Sequence, residues 1–193
     1  MTSVGFQQSA VNKITVRPAN RRERATSGYH FVLWSTARNK EKLMADCSED
    51  YDAVARQLGR RPRPFRVAAR CPFGVPSVIE NERTREMPTS FWVTCPSLIA
   101  AISRVESTGG VREARDAVGE AAVEEIHNEH ISLYGTRVAG VRPGASGSVK
   151  CLHAFTALHI SGAIPNLVAE WTLRHLESPY PEGRCCSAKD TND

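Results

Sequence analysis

The spacing of hydrophobic residues changes near residue 96 and divides the chain into a strand-rich part and a helical part. Three short apolar runs typical of strands come first, at residues 65–71, 75–80 and 89–95. Gly74 and Pro76 suit a tight turn between the first two runs, and a longer polar loop separates the second from the third. Short apolar runs joined in this way predict an antiparallel meander.

Helical spacing of apolar residues occurs on both sides of this meander. Before it, Tyr51, Val54 and Leu58 share one helix face, and the Gly- and Pro-containing stretch "GRRPRP" ends the pattern. After it, Pro96 suits the first turn of a helix that Gly109 would end. Further helices are predicted over residues 111–134, with a break at Gly119, and over 149–161 and 165–176. The sequence therefore predicts the α+β class, with a small antiparallel three-stranded meander covered by about four to five helices.

The charge of the chain is concentrated near its beginning. The 193 residues carry a net charge of +4, but residues 1–43 alone hold eight Lys or Arg and two Glu, which leaves −2 for the rest. We expect a basic, disordered leader over 1–43, a single α+β domain over 44–177 and a flexible tail over 178–193. Met44 is an alternative start of translation. Because the basic excess does not belong to the domain, the folded part is not expected to bind nucleic acid.

Hydropathy and cysteine usage bear on the expected location. No apolar run reaches the roughly 18–20 residues of a membrane span, and the first residues have no apolar stretch typical of a secretory signal. The expectation is therefore a cytoplasmic protein. Cytosolic thiols are kept reduced, so we expect thiols rather than disulfides at the six cysteines, which are residues 47, 71, 95, 151, 185 and 186.

The stretch "RPGASGSVKCLH" at residues 142–153 predicts a flexible loop that runs into a helix. Ser148 is expected to cap this helix, and the free N–H groups of a helix N-terminus favour an anion. Arg142 and Lys150 would add positive charge. The spacing is not that of a phosphate-binding Walker loop. A connector with a good cap is the favoured interpretation, and an anion site is the alternative.

The cysteines Cys71, Cys95 and Cys151, together with His153, allow three interpretations. They could form the Cys₃His ligand set of a structural zinc, although paired C-x₂₋₄-C spacings are missing. Alternatively, Cys95 or Cys151 could be a reactive thiol, because each lies near a predicted helix N-terminus, with His153 as the candidate base of Cys151. Burial without reactivity is the favoured interpretation, since Cys is among the most often buried residues.

Three further polar clusters have a simple surface explanation. His127 and His130 lie three positions apart in "EEIHNEH" and are predicted to belong to a solvated polar face. Arg104 and Glu106 end an otherwise apolar helix, where surface polarity accounts for them. The basic stretch "GRRPRPFR" at 59–66 has a single aromatic residue, so it lacks the stacking side chains of single-strand binders and is interpreted as a solvated linker.

Four motifs in order, "VARQLGRRPRPFRVAARCPFGVPSVIE", "PTSFWVTCP", "AISRVESTGGVRE" and "SVKCLHAFTAL", resemble an actinobacterial family known as domain of unknown function 501. The resemblance covers about residues 52–171 and implies no established activity. It implies an association, through neighbouring genes, with cell division and polyphosphate metabolism. The motif positions it marks are Arg70, Cys71, Pro72, Thr94, Cys95, Pro96, Arg104, Glu106, Lys150, Cys151 and His153. The chain departs from the family pattern at His159, which comes one residue later than the expected second histidine.

Two functional hypotheses follow. The first is a small binding or regulatory module with a Cys/His-centred site that could hold a structural metal, with a division-associated protein as partner. The second is a thiol- or His-dependent enzyme that acts on a phosphorylated or otherwise anionic ligand. The catalytic candidates are Cys151, His153 and Cys95, and the metal candidates are Cys71, Cys95, Cys151 and His153, with zinc as the metal. The candidate anion-binding residues are Arg70, Arg104, Glu106, Arg142, Ser148 and Lys150.

Overall fold

A computed structural model of the protein describes residues 48–83 and 89–177, all of which lie in one compact unit. The predicted basic leader, the alternative start at Met44 and the predicted tail lie outside the described residues and stay predictions.

The sheet has the predicted meander topology. Its strands are β1 (Phe65–Arg70), β2 (Pro76–Asn81) and β3 (Phe91–Val93), in the order β1-β2-β3 and antiparallel throughout. Successive side chains of a strand point to opposite faces. Val78 of β2 accordingly lies in the large hydrophobic core, while its neighbour Ile79 lies in a smaller cluster on the other face.

Helix α1 (Ser48–Leu58) covers the smaller cluster. Val54 of this helix is fully buried with Phe65 and Ile79, and the ring of Tyr51 stacks on that of Phe65 with centroids 6.3 Å apart. These are the positions at which the periodicity before the meander predicts an apolar face. Helix and sheet therefore bury each other's apolar residues.

Five more α-helices follow the sheet in the described residues: α2 (Pro96–Ser107), α3 (Gly110–Val118), α4 (Glu120–Tyr134), α5 (Leu152–Ile160) and α6 (Leu167–His175). The predicted break at Gly119, whose φ is 86°, is present and divides the predicted helical region at 111–134 into α3 and α4. The predicted helix at 149–161 begins only at Leu152, with Cys151 at its N-cap. Ser148 therefore lies before the helix and does not cap it.

Helix α5 forms the centre of the large core. Its residues Leu152 and Phe155 are fully buried, and the helix packs against β3, α2 and α6. Because α5 has partners on several sides, apolar residues occupy most of its surface. Among the described residues, no helix has both the length and the apolar character needed to cross a bilayer.

Candidate functional site

The C-terminal half of α2 meets the first turn of α5, and Glu106 lies at this junction. The Oε1 atom of Glu106 accepts the Leu152 backbone N–H at 2.5 Å and lies 3.2 Å from Nδ1 of His153. A carboxylate at a helix N-terminus satisfies a free donor and interacts favourably with the helix dipole. Glu106 therefore occupies the anion position that the sequence predicts at the start of this helix.

The other nitrogen of His153 faces α2. Its Nε2 atom lies 3.4 Å from Oγ of Ser103 and 3.3 Å from the carbonyl oxygen of Ile99. Residues 99, 103 and 106 are spaced at i, i+4 and i+7, so they lie on one face of α2 beside the imidazole. Ser103 is exposed, while the side chains of His153 and Glu106 are 26% and 23% exposed.

Sequence reasoning did not single out Ser103. The available signal was its position three residues before Glu106 on the same helix face. This spacing indicates a site only when His153 lies beside that face of α2. His153 belongs to α5 and follows Ser103 by 50 residues, so the sequence does not show that the two residues are close. Glu106 and His153, which the family resemblance marks together, are brought into contact.

Cys151 lies at the N-cap of α5, next to this junction. Burial raises the pKa of its thiol above the ordinary value, and the charge of Glu106 acts in the same direction. The backbone N–H groups of Ala154 and His153 and the charge of Lys150 oppose this shift without reversing it. The thiol is therefore held protonated at neutral pH, which disfavours Cys151 as a nucleophile.

Cys71 and Cys95 flank the beginning of β2. The Cys71 N–H donates to the carbonyl of Val75 at 2.8 Å, and the Cys95 N–H donates to that of Ser77 at 3.4 Å. Both side chains are buried, with 6% and 2% exposure. Hydrogen bonding at the end of the sheet thus fixes the backbone of both residues.

The predicted zinc site is not assembled. Within residues 48–83 and 89–177, no three His, Cys, Asp or Glu side chains are grouped so that they could hold a metal ion. The ring of His153 faces α2, where Ser103 and Glu106 are its partners, and Cys151 makes no side-chain capping hydrogen bond to α5. The imidazole of His153 is therefore engaged with α2 and not with Cys71 or Cys95.

Two of the other predicted anion-binding residues, Arg70 and Lys150, have partners within the protein. Arg70 binds the carboxylate of Asp50 through two hydrogen bonds of 2.8 and 2.7 Å, which ties β1 to α1. Lys150 Nζ donates to the carbonyl of Ala139 at 3.3 Å. Arg104 and Arg142 are exposed.

His127 and His130 lie on a buried face of α4, with 0% and 3% exposure, so their prediction as a solvated polar face is wrong. The Val138 N–H donates to Nδ1 of His127 at 3.2 Å, which leaves Nε2–H to donate to the carbonyl of Ser148 at 2.8 Å. Nδ1 of His130 donates to the carbonyl of Thr136 at 2.5 Å. Burial lowers the pKa of both rings, so both are held neutral.

A partly buried ion pair fixes the loop between α4 and α5 to α4. Arg137, which is 8% exposed, donates through both terminal nitrogens to the two oxygens of Glu124 at 2.6 Å. The Gly147 N–H adds a third hydrogen bond at 3.1 Å. The hydrogen bond from Arg137, followed by that from Gly147, lowers the pKa of Glu124 to about 2. The predicted flexible connector is thus held at Arg137, Gly147 and Ser148.

These observations define a small α+β domain with a Ser103–His153–Glu106 row at the junction of two helices. Residues 67–132 match the model of a family described as Protein of unknown function (DUF501), so the family resemblance is confirmed over this range. The range contains Ser103 and Glu106 and ends before His153. Searches of curated proteins and of solved structures find no match.

Proposed function

We propose that the protein is a hydrolase of carboxylic esters in which Ser103 is the nucleophile, His153 the base and Glu106 the residue that orients the imidazole. The continuous row of polar atoms supports this: Ser103 Oγ to His153 Nε2 is 3.4 Å, and His153 Nδ1 to Glu106 Oε1 is 3.2 Å. A nucleophile within reach of a base that a third group orients is the arrangement that activates a hydroxyl.

The surroundings of His153 suit both protonation states of the reaction. In the neutral ring, Nδ1–H donates to Glu106 and the Nε2 lone pair accepts the Ser103 hydroxyl. When Nε2 takes the serine proton, its N–H has the Ile99 carbonyl 3.3 Å away as an acceptor. The imidazolium that forms therefore has an acceptor on each side, and the carboxylate of Glu106 stabilises its charge.

The chemical steps follow those of acyl transfer through serine. Ser103 Oγ attacks the ester carbonyl carbon while its proton passes to His153 Nε2, and the departing alcohol takes that proton. Water then cleaves the acyl–serine ester and restores the hydroxyl. Since Arg104 is adjacent to Ser103 and exposed, we expect esters with an anionic substituent to be preferred.

This proposal keeps the His-dependent enzyme that the sequence suggested and replaces the thiol with a hydroxyl. The raised pKa of Cys151 supports the replacement, because a protonated thiol is a poor nucleophile. The exposure of Ser103 supports it as well, since a substrate can reach the oxygen from solvent.

The test combines covalent labelling with hydrolysis. A fluorophosphonate forms a bond to an activated serine oxygen and releases fluoride, and tandem mass spectrometry identifies the labelled residue. We expect labelling at Ser103 and hydrolysis of para-nitrophenyl acetate, both lost in Ser103→Ala and reduced about 100-fold or more in His153→Gln. Ser107→Ala is the matched control, because Ser107 lies on the same helix, is exposed and donates its hydroxyl to the Arg104 carbonyl of that helix.

A second candidate function, the binding or regulatory module, has one observation in its favour. Glu106 of α2 accepts the Leu152 N–H of α5, so the Ser103–His153–Glu106 row also holds these two helices together. If neither the wild-type protein nor Ser107→Ala is labelled or hydrolyses the ester, the hydrolase proposal is overturned and the module stands. Its partner would then be a protein, and the link to cell division rests on the family resemblance.

A further inference from the structure

The segment that joins α1 to β1 carries several exposed arginines, and contacts with α1 hold its backbone in place. Pro62 is buried and its carbonyl accepts the Tyr51 hydroxyl at 3.3 Å, and Phe65 is buried against the ring of Tyr51. Four arginines before, between and after these anchors are exposed, namely Arg60, Arg61, Arg63 and Arg66. We call these four residues the arginine segment. Its arginines are exposed to solvent, as the predicted solvated linker requires, but its backbone is also held at two points.

Charge is concentrated around this segment. Residues 56–70 include six arginines and no acidic residue, although the described residues as a whole have as many acidic as basic side chains. Arg66 pairs with Glu80, and Arg70 pairs with Asp50. Arg60, Arg61 and Arg63 form no ion pair with another described residue. An external polyanion could therefore neutralise them without breaking an internal ion pair.

The sheet brings an aromatic ring to the arginine segment. Trp92 of β3 pairs in register with Ile79, which pairs with Val67 of β1, so these three side chains form one row on the α1 side of the sheet. The Arg60 guanidinium lies 5.7 Å from the centroid of the Trp92 ring. Trp92 is partly exposed, and its indole N–H donates to the Thr89 carbonyl at 2.9 Å, which fixes the ring.

From these features we propose that the arginine segment and Trp92 bind single-stranded nucleic acid. Guanidinium groups bind phosphate oxygens through paired hydrogen bonds, and an exposed aromatic ring beside an arginine stacks on bases. An acidic peptide would use the charges but would have no need of Trp92, so the ring favours nucleic acid. The proposal is independent of the hydrolase proposal, because it uses the sheet and α1 rather than the α2–α5 junction.

This proposal reverses the expectation from charge counting. The net charge of the domain excludes a uniformly basic surface, but it does not show where the charges lie. The single aromatic residue visible in "GRRPRPFR" is Phe65, which is buried, and the partly exposed ring of Trp92 comes from a strand about 30 positions later. Only the sheet register places Trp92 beside Arg60.

The binding test uses the full chain and a fluorescein-labelled oligothymidylate of about 20 nucleotides, longer than the roughly 4–16 nucleotides that one OB fold covers. Fluorescence anisotropy gives Kd at several salt concentrations. The test variant is Arg60→Ala/Arg61→Ala/Arg63→Ala. The control variant, Arg112→Ala/Arg115→Ala/Arg174→Ala, removes the same charge from other exposed sites and retains the same leader. Circular dichroism checks that both variants are folded.

We expect the test variant to raise Kd about tenfold or more and to lower the slope of log Kd against log salt by about 2, because each phosphate contact of a single strand contributes about 0.7. The control variant should change Kd less than about twofold. Trp92→Phe should retain binding, and Trp92→Leu should weaken it. Equal weakening by both triple variants would overturn the proposal, since binding would then follow total charge. Equally tight, arginine-dependent binding of labelled polyglutamate would overturn it in favour of an acidic protein partner.

Discussion

Glu106 and His153 lie 47 positions apart in the chain, yet their side chains meet, with Oε1 of the carboxylate 3.2 Å from Nδ1 of the imidazole. The same carboxylate oxygen accepts the backbone N–H of Leu152, the first residue of α5. One side chain therefore fixes the beginning of a core helix and the orientation of a ring at the surface. Packing and chemistry at the α2–α5 junction are coupled through Glu106.

The first prediction separates these two roles of Glu106. In Glu106→Gln the amide oxygen can still accept the Leu152 N–H. The free energy of unfolding measured with urea should therefore fall by only about 1 kcal/mol, the usual contribution of a charge at a helix N-terminus. In Glu106→Ala the hydrogen bond to the Leu152 N–H is lost as well, and we expect the free energy of unfolding to fall by about 1–3 kcal/mol. Glu129→Gln, an exposed position on α4, is the control and should be nearly neutral. A loss in Glu106→Gln as large as in Glu106→Ala would contradict the separation.

The second prediction concerns the protonation of His127. Because the Val138 N–H donates to Nδ1, the ring must carry its proton on Nε2, and burial lowers its pKa. Nitrogen-15 spectra of the imidazole should therefore show the neutral Nε2–H form at pH 6, where an ordinary histidine is mostly protonated. A ring that titrates near 6.5, or that carries its proton on Nδ1, would contradict the assignment.

The lowered pKa values of His127 and His130 also set the direction of a stability change. A ring whose pKa is lower in the folded protein contributes its full stability above the unfolded pKa of about 6.5 and loses it as the pH falls. Each buried ring should cost up to about 1.4 kcal/mol of unfolding free energy per pH unit below that value. Urea unfolding at pH 7.5 and pH 5.5 should show this loss.

A third prediction follows from the raised pKa of Cys151. At neutral pH its thiolate fraction should be below that of an ordinary cysteine, so iodoacetamide should modify it more slowly in the native protein than in guanidinium chloride. Peptide mass spectrometry separates Cys151 from the other cysteines. Modification of Cys151 in the native protein faster than in the unfolded protein would indicate an activated thiol and would restore it as a candidate nucleophile.

Much of the fold could be predicted from local patterns. Short apolar runs indicated the three strands, Pro96 marked the first residue of α2, and Gly119 marked the division between α3 and α4. These signals are local because Gly and Pro act through their own backbone angles. The motifs that resemble the family also contain both partners of the Glu106–His153 contact.

The remaining features depend on contacts that are distant in sequence. His127 is buried because the loop after α4 covers it and supplies the Ser148 carbonyl as a partner, and that loop has no apolar pattern. Ser103 becomes a site residue only when α5 lies beside α2. Cys71 and Cys95 are buried, as the favoured interpretation from residue type expects, but which residues bury them depends on the packing of the sheet and cannot be read from the local sequence.

The last prediction tests whether this loop is structured as tightly as its hydrogen bonds indicate. Gly147 and Gly144 both have positive φ, at 59° and 85°, so alanine at either position should cost about 1–2 kcal/mol in backbone strain. At Gly144 an added Cβ would meet nothing within 4 Å, whereas at Gly147 it would lie 2.8 Å from Cα of Glu120. Backbone atoms cannot give way cheaply, and a shift of residue 147 would also break its N–H bond to Glu124. Urea unfolding should therefore show a clearly larger decrease in the free energy of unfolding for Gly147→Ala than for Gly144→Ala. Equal losses would mean that the loop moves away from α4 at little cost.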